Sequence, residues 1–383
     1  MRTSTTLAIL LMATPVAAFA QESEESAPAP AATTESAPET QPAPDPAPAP
    51  APAETAPAPM PAPAPVVEAP ATPAAAAPTV TWEGLVDSYY LYNFTGDPST
   101  QGPAMRQFDT NANSFTLSYA KLGLQADLDV VSVRADVGYG MLGGPGFIVQ
   151  QAFGTAKLGS VVSLDAGRFV THAGAEVIET QKNWLYSRSL LFYGIPLYHT
   201  GLRLNLNLAE GVTAMVSVVN GWNNDPDDNE GKTVGANVTY SGGGITAAAT
   251  TYIGKEGASS DYRMLFDGVF SMDVAPTVSV GANVDFYKEG DGQWIGVAAM
   301  AKAMLAEDLA LAVRGEFLKD KNAYGIGEES LYEGTLMLGY TIAGHFEIRA
   351  EGRADMSSAE VFAKGDTPRK NQVTGLLGFL AYF

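Results

Sequence analysis

Apolar and polar side chains alternate with a period of two along most of the chain from residue 80 onward. In the segment from Val131 to Tyr139, the odd positions are apolar and the even positions are polar or glycine. The segment from Phe346 to Ala354 repeats the pattern, with charged residues on its polar parity. Successive side chains of a β-strand point to opposite faces, so this alternation predicts strands with one apolar face and one polar face.

About sixteen such segments are present, and tight turns alternate with longer polar loops between them. Aromatic side chains on the apolar parity gather near both ends of the segments. Both features are typical of barrels in the bacterial outer membrane. A soluble β-sandwich or β-helix would also alternate, but it would explain neither the aromatic belts nor the loop pattern. The predicted strands begin near residues 80, 114, 131, 148, 161, 198, 212, 233, 245, 262, 277, 294, 309, 331, 346 and 373.

We therefore predict an all-β fold, a transmembrane antiparallel β-barrel of about 16 strands over residues 80–383. The apolar parity of the second segment switches at Ala120–Lys121, which predicts a β-bulge there. Two other segments precede the barrel. Residues 1–20 combine Arg2, an apolar run and a small-residue site at Ala18–Ala20, which predicts a signal peptide.

Residues 21–79 are rich in proline and alanine and predict a disordered spacer. Positions 22–79 hold 17 of the 25 prolines and no basic residue. Because alternating proline favours an extended chain, we expect a periplasmic spacer rather than a folded domain. The chain has no cysteine, so neither a disulfide nor a lipid-modified cysteine contributes.

Charged residues on the polar parity of the predicted strands are candidates for the lining of the barrel. An arginine or lysine facing lipid at the midplane would cost about 2 to 4 kcal/mol, so these side chains are expected to face a water-filled lumen. The predicted pore-lining residues are Arg134, Asp136, Arg203, Arg314, Glu316, Glu347, Arg349, Glu351, Arg353 and Asp355. An alternative is that neighbouring arginines and glutamates pair to plug the lumen or brace the wall.

Several stretches resemble the OmpL-like family of β-barrel porins. They are Gly84–Asn93, Asn113–Leu117, Leu164–Arg203 and Val219–Asn223, and the resemblance covers most of residues 80–240. It implies a channel for passive diffusion of small hydrophilic solutes or ions, without naming a substrate. The runner-up interpretation is a structural barrel whose proline-rich tail tethers to the cell wall or to a periplasmic partner.

The loop 171–197 is the longest of the predicted barrel loops and the third long loop. By the same resemblance it would fold into the lumen and narrow it, where charges of both signs would orient permeating solutes. Alternatively, the loop caps the rim and its charges are merely solvated. The candidate constriction residues are His172, Glu176, Glu179, Lys182 and Arg188.

Other function classes find little support. The three histidines, His172, His199 and His345, lie on separate segments and no GxSxG motif is present, so we predict no enzyme. The net charge of −20 disfavours nucleic acid. The acidic loop Asp225–Gly231 lacks the spacing of an EF-hand, and neither a metal nor a cofactor is predicted.

The expected location is the bacterial outer membrane, with the N-terminal tail in the periplasm. The expected partners are outer-membrane lipid and the barrel-assembly machinery, since the terminal aromatic Phe383 resembles its recognition signal.

Overall fold

The computed structural model describes residues 78–96, 102–140 and 146–383, and within them it confirms a closed antiparallel barrel of sixteen strands. The predicted signal peptide and almost all of the spacer lie outside the described residues. The strands are β1 Thr79–Asn93, β2 Ser114–Leu128, β3 Val131–Gly140, β4 Gly146–Lys157, β5 Val162–Val170, β6 Tyr198–Ala209, β7 Val212–Val219, β8 Thr233–Gly242, β9 Ile245–Lys255, β10 Tyr262–Ala275, β11 Val278–Glu289, β12 Gly292–Met304, β13 Leu309–Lys321, β14 Ser330–Ile342, β15 Phe346–Ser357, β16 Phe362–Lys364, β17 Thr367–Arg369 and β18 Asn371–Tyr382.

The barrel consists of β1 to β15 together with β18, and each of the sixteen predicted strand starts lies within two residues of the observed one. The last strand closes the sheet by pairing with the first, from Leu85 opposite Tyr382 to Asn93 opposite Thr374. Closure leaves no unpaired strand edge, which is the condition for a β-sheet to lie in a bilayer. Strands β16 and β17 form a separate hairpin within the predicted polar loop 357–372.

The outer surface of the barrel is apolar. On β3, Val131, Val133 and Val137 are exposed, while Ser132 and Asp136 between them are buried inside. Exposed aromatics lie near the long-loop end (Phe115, Tyr139, Phe147, Tyr262, Phe266 and Tyr332) and near the short-turn end (Trp82, Tyr240, Phe270, Tyr340, Phe346 and Phe383). Two aromatic belts around an apolar band match the two interfaces of a bilayer. Among the described residues, no helix has the length and hydropathy needed to cross a membrane.

A register shift between β1 and β2 confirms the predicted bulge. Asp87 pairs with Tyr119 and the next residue pairs with Leu117, so Ser118 is the extra residue. The bulge lies two residues before the predicted position. It keeps Leu117 facing outward while directing Lys121 into the barrel, where that side chain is buried.

The hydrophobic core of the protein lies inside the barrel, towards the long-loop end. Loop 171–197 contributes a 3-10 turn at Thr180–Lys182 and a short helix, α1 Leu190–Tyr193. The buried loop side chains pack with inward-facing wall residues in a cluster that includes Ile178, Leu190, Phe192, Ile195, Tyr252, Leu265, Trp294, Leu318 and Leu331. The loop therefore fills space that would otherwise be part of the lumen.

Candidate functional site

Loop 171–197 enters the barrel and is bound there by carboxylates of the wall. Glu351 on β15 accepts the backbone N–H of Tyr186 at 2.7 Å and that of Ser187 at 3.1 Å. Glu316 on β13 accepts the backbone N–H of Leu190 at 2.6 Å. A buried N–H left without a partner would cost about 1 to 3 kcal/mol, so these carboxylates fix the loop backbone in place. Of the two arrangements left open by the sequence, the structure has the loop inside the lumen.

Arginines of the wall bind the carbonyl groups of the same loop. Arg314 donates to Ser187 O at 2.9 Å, Arg349 to Thr180 O and Leu185 O at 3.0 Å each, and Arg353 to Arg188 O at 2.6 Å. Guanidinium groups suit this role because each offers several donors in a fixed plane. The wall thus supplies both hydrogen-bond acceptors and hydrogen-bond donors to the loop backbone.

A buried ion-pair network lies beneath the loop. The Arg314 guanidinium is 2.8 Å from Glu176 of the loop, 2.8 Å from Glu316 and 3.1 Å from Glu333. Beside it, Arg353 pairs with Asp355 at 2.7 Å. In a buried setting such charges are stable only together, because removing one partner leaves the others uncompensated.

A second charged cluster joins the loop to strands β1, β2 and β3. The Lys121 ammonium is 2.8 Å from Glu83 and 3.1 Å from Asp136, and it also pairs with Glu179 of the loop. The carboxylate oxygens of these three acids lie within 4.8 Å of one another. Since Lys121 already supplies the positive charge among them, the cluster does not call for a metal. Although burial opposes it, Lys121 holds the pKa of Glu179 below its ordinary value.

A third contact holds loop 171–197 against β1 and β18. The Tyr186 hydroxyl donates to Asp87 at 2.5 Å. A Cβ on Gly378 would lie 2.4 Å from the Tyr186 ring, so glycine lets the ring approach β18 this closely. Burial, followed by the Asp87 carboxylate, raises the pKa of the Tyr186 hydroxyl well above its ordinary value, so Tyr186 remains a donor.

His172 begins the loop next to the ion pair of Arg203 and Asp165, whose closest atoms are 2.6 Å apart. Its Nδ1 atom is buried and has no hydrogen-bond partner among the described residues. Burial, together with the charge of Arg203 and the neighbouring His199, lowers the pKa of His172 from 6.5 to about 3. The imidazole is therefore neutral at physiological pH.

This lowered pKa predicts a pH dependence of stability. Between its ordinary pKa and its folded value, His172 binds a proton more readily in the unfolded chain, so the free energy of unfolding should decrease as the pH falls from 7 to 5. Urea unfolding at both pH values should show a smaller decrease in H172Q than in the wild type. The exposed His345 is the control, and H345Q should retain the wild-type decrease. Equal slopes in H172Q and the wild type would contradict the assignment.

All ten predicted pore-lining residues point into the barrel, but most of them are covered. Only Arg134 and Arg203 keep appreciable side-chain exposure, at 19% and 11%. The other eight are buried, because the loop occupies the space in which water was expected. Within the loop, Glu176, Glu179 and Arg188 are buried, whereas the Lys182 side chain is 49% exposed.

Several residues of the site were not among the predicted ones. They are Glu83, Asp87, Lys121, Asp165 and Glu333. Each stands on the inward parity of its strand, so the same alternation could have included them. Lys121 was hidden by the bulge, which reverses the parity of β2.

A cavity of about 290 Å³ remains between the loop and strands β9 to β12. On the loop side it is lined by Glu176, Lys182, Asn183 and Trp184 among others, and on the wall side by Thr246, Ala248, Val269, Phe270, Ser271, Gly281 and Met300, most of which are small. A Cβ on Gly281 would lie 3.4 Å from the Trp184 indole, in ordinary contact. Small wall residues thus leave space beside the loop towards the short-turn ends of β9 to β12, whereas Tyr252, Leu265 and Trp294 fill the space at the long-loop ends of the same strands.

A closed barrel with an apolar outer surface and a charged loop held in its lumen defines a channel protein of the porin class. The family model described as "Putative beta-barrel porin-2, OmpL-like" matches residues 79–383, and the chain belongs to this family. The protein is accordingly an outer-membrane channel for passive diffusion, set in membrane lipid.

Several solved structures of outer-membrane proteins have the same fold. The outer-membrane channel DcaP of Acinetobacter baumannii has a TM-score of 0.59 at 13% identity, covering 80% of this chain and 97% of its own. The anion-selective porin of Comamonas acidovorans has a TM-score of 0.59 at 14% identity, covering 80% of this chain and 100% of its own. Salmonella typhi OmpF in complex with daunomycin has a TM-score of 0.54 at 14% identity, covering 79% and 97%. A comparison with curated protein sequences finds no match.

Proposed function

We propose that small hydrophilic solutes or ions pass through this porin between loop 171–197 and strands β9 to β12. The observation that carries the proposal is the cavity between the loop and these strands, which lies nearer their short-turn ends than the core residues Tyr252, Leu265 and Trp294. Diffusion along such a path needs no catalytic group, and we propose no enzymatic role.

The charged residues divide into two roles in this proposal. Lys182 lines the cavity with a side chain that is 49% exposed and presents its charge to solutes there. Arg134 and Arg203 are only 19% and 11% exposed and are held in ion pairs. The buried residues of β13 and β15 instead hold the loop that narrows the path. Exposed charge next to a restricted opening orients and selects permeating ions.

A bulky residue on the wall of the cavity should narrow the path. In planar bilayers, A248W is expected to lower the single-channel conductance of the wild type, because the indole would extend into the cavity that Ala248 lines. The matched control is A249W on the same strand, since Ala249 faces outward and is exposed. That variant should conduct like the wild type. Equal conductance of A248W and wild type would reject this path, and no conductance from the wild type would reject the channel itself.

The position of the chain ends supports a role in assembly and orientation. Phe383 is 70% exposed on the outer surface, and its ring covers Gly84 of β1 at the seam of the barrel. We propose that this aromatic is read by the barrel-assembly machinery. Strand β1 begins at the short-turn end, the periplasmic side of bacterial barrels, so the N-terminal tail is proposed to extend into the periplasm.

A further inference from the structure

Three lysines cluster on the outer surface of the barrel, at the long-loop ends of β11 and β13. Lys288 on β11 and both Lys319 and Lys321 on β13 are exposed and lie on the parity that faces lipid. Gln293 of the intervening strand β12 pairs with Lys288 on one side and with Lys321 on the other, so the three residues form a row across the sheet. Because neighbouring strands are about 4.8 Å apart, the backbones of the two lysines in this row are about 10 Å apart.

The lysines lie at the edge of the apolar band. Two residues nearer the middle of the same strands, on the same parity, are Phe286 and Phe317, and Ile295 of β12 pairs with Phe286 and with Lys319. A lysine that faces lipid is unfavourable at the midplane but tolerated at the interface, where its stem covers apolar surface and its ammonium reaches the headgroups. Since the long-loop end of bacterial barrels is external, these ammonium groups are at the headgroup level of the outer leaflet.

A pocket of about 180 Å³ opens on the outer surface among these residues. Phe286 and Ile295 supply apolar lining, while Gln293, Lys319 and Lys321 supply polar lining. A ligand that fits this lining has an apolar part next to an anionic part.

The protein does not neutralise the three lysines. None of them makes an ion pair within the part of the chain that the structure describes. Lys319 donates to the backbone carbonyl of Glu328 at 2.9 Å, which leaves the rest of its ammonium available. The nearby acids are Glu328, whose side chain is exposed, and Asp291 in the turn between β11 and β12, so three ammonium groups face two acids. Asp320 also lines the pocket, but it is buried and accepts the backbone N–H of Ala323 at 2.9 Å.

Unpaired ammonium groups next to lipid attract the anionic groups of that lipid, and phosphate is a strong acceptor for lysine. The lipid of the outer leaflet in a bacterial outer membrane is a glycolipid with phosphates on its sugars and several acyl chains. We propose that Lys288, Lys319 and Lys321 bind the phosphate groups of one such phosphorylated glycolipid, with one of its acyl chains against Phe286 and Ile295. The site lies outside the lumen and is independent of the path proposed for solutes.

The test uses the full chain, refolded in detergent free of lipopolysaccharide. Native mass spectrometry counts the molecules of lipid A with two phosphates that each barrel retains as the lipid concentration is raised. The wild type should bind this lipid saturably. K288Q/K319Q/K321Q is expected to weaken the binding about tenfold, because each lysine near an anionic surface adds to the attraction. Heat-modified migration on gels verifies that the variant is folded.

The matched control is K232Q/K364Q/K370Q, which removes three exposed lysines from the loops at the same end of the barrel. It should bind lipid A like the wild type. Absence of binding by the wild type overturns the proposal, as does undiminished binding by K288Q/K319Q/K321Q.

Three further results would also overturn it. Equal binding of lipid A stripped of its phosphates would show that acyl chains alone account for the binding. Displacement of lipid A by an equal concentration of inorganic phosphate would show that free phosphate is the ligand. An oligomer of the wild type that retains no lipid, and that K288Q/K319Q/K321Q fails to form, would show that a second copy of the chain covers the lysines.

Discussion

Replacing residues 175–190 by a short glycine-serine linker is expected to raise the single-channel conductance several-fold. Sixteen-stranded barrels enclose an aqueous channel unless something fills it, and here the loop core occupies the lumen towards the long-loop end. Removing the loop would return the wall charges that it covers, such as Glu351 and Arg314, to water. The measurement is single-channel recording in planar bilayers at fixed salt.

The control for this replacement is a shorter linker replacement in a loop that stays outside the lumen core. A linker in place of residues 225–230 should leave the conductance unchanged, because the side chains there are largely exposed. If the variant in loop 171–197 also conducted like the wild type, the loop would not be the constriction. That result would leave the barrel fold intact and remove the functional role of the loop.

Removing the charge of Arg314 is expected to have the largest effect on the free energy of unfolding. R314M would leave Glu176, Glu316 and Glu333 together without their central cation. Breaking a buried ion network by removing one partner costs about 3 to 5 kcal/mol. The free energy of unfolding in urea, measured in detergent, should fall by about this amount. Loop 171–197 should become accessible to protease.

Two further variants separate charge from packing. R314M/E316Q/E333Q also removes two of the three carboxylate charges that R314M leaves unpaired. It should recover part of the lost stability if unpaired charge is the cause. R369M changes an exposed arginine on the β16–β17 hairpin and should change the free energy of unfolding by about 0.5 kcal/mol or less. An R314M protein as stable as the wild type would show that the network contributes nothing to holding the loop.

The sequence by itself determined the barrel. Alternation with a period of two is a local property of each strand, and the bilayer fixes which parity is apolar, so strand number and strand starts could be predicted. Even the bulge in β2 was visible, because one extra residue reverses the parity of everything after it. The inward direction of Arg314 and Glu351 followed from the same rule.

What the sequence could not decide was whether an inward charge meets water or another part of the chain. That depends on the path of loop 171–197, whose contacts join residues far apart, such as Asp87 with Tyr186, 99 positions away. Only the tertiary structure therefore distinguished the partly exposed charges, Arg134 and Arg203, from the buried charges that hold the loop. The physical reason is that the direction of a side chain depends only on its position along its own strand. Its exposure to water inside the lumen depends on which other segments the barrel encloses.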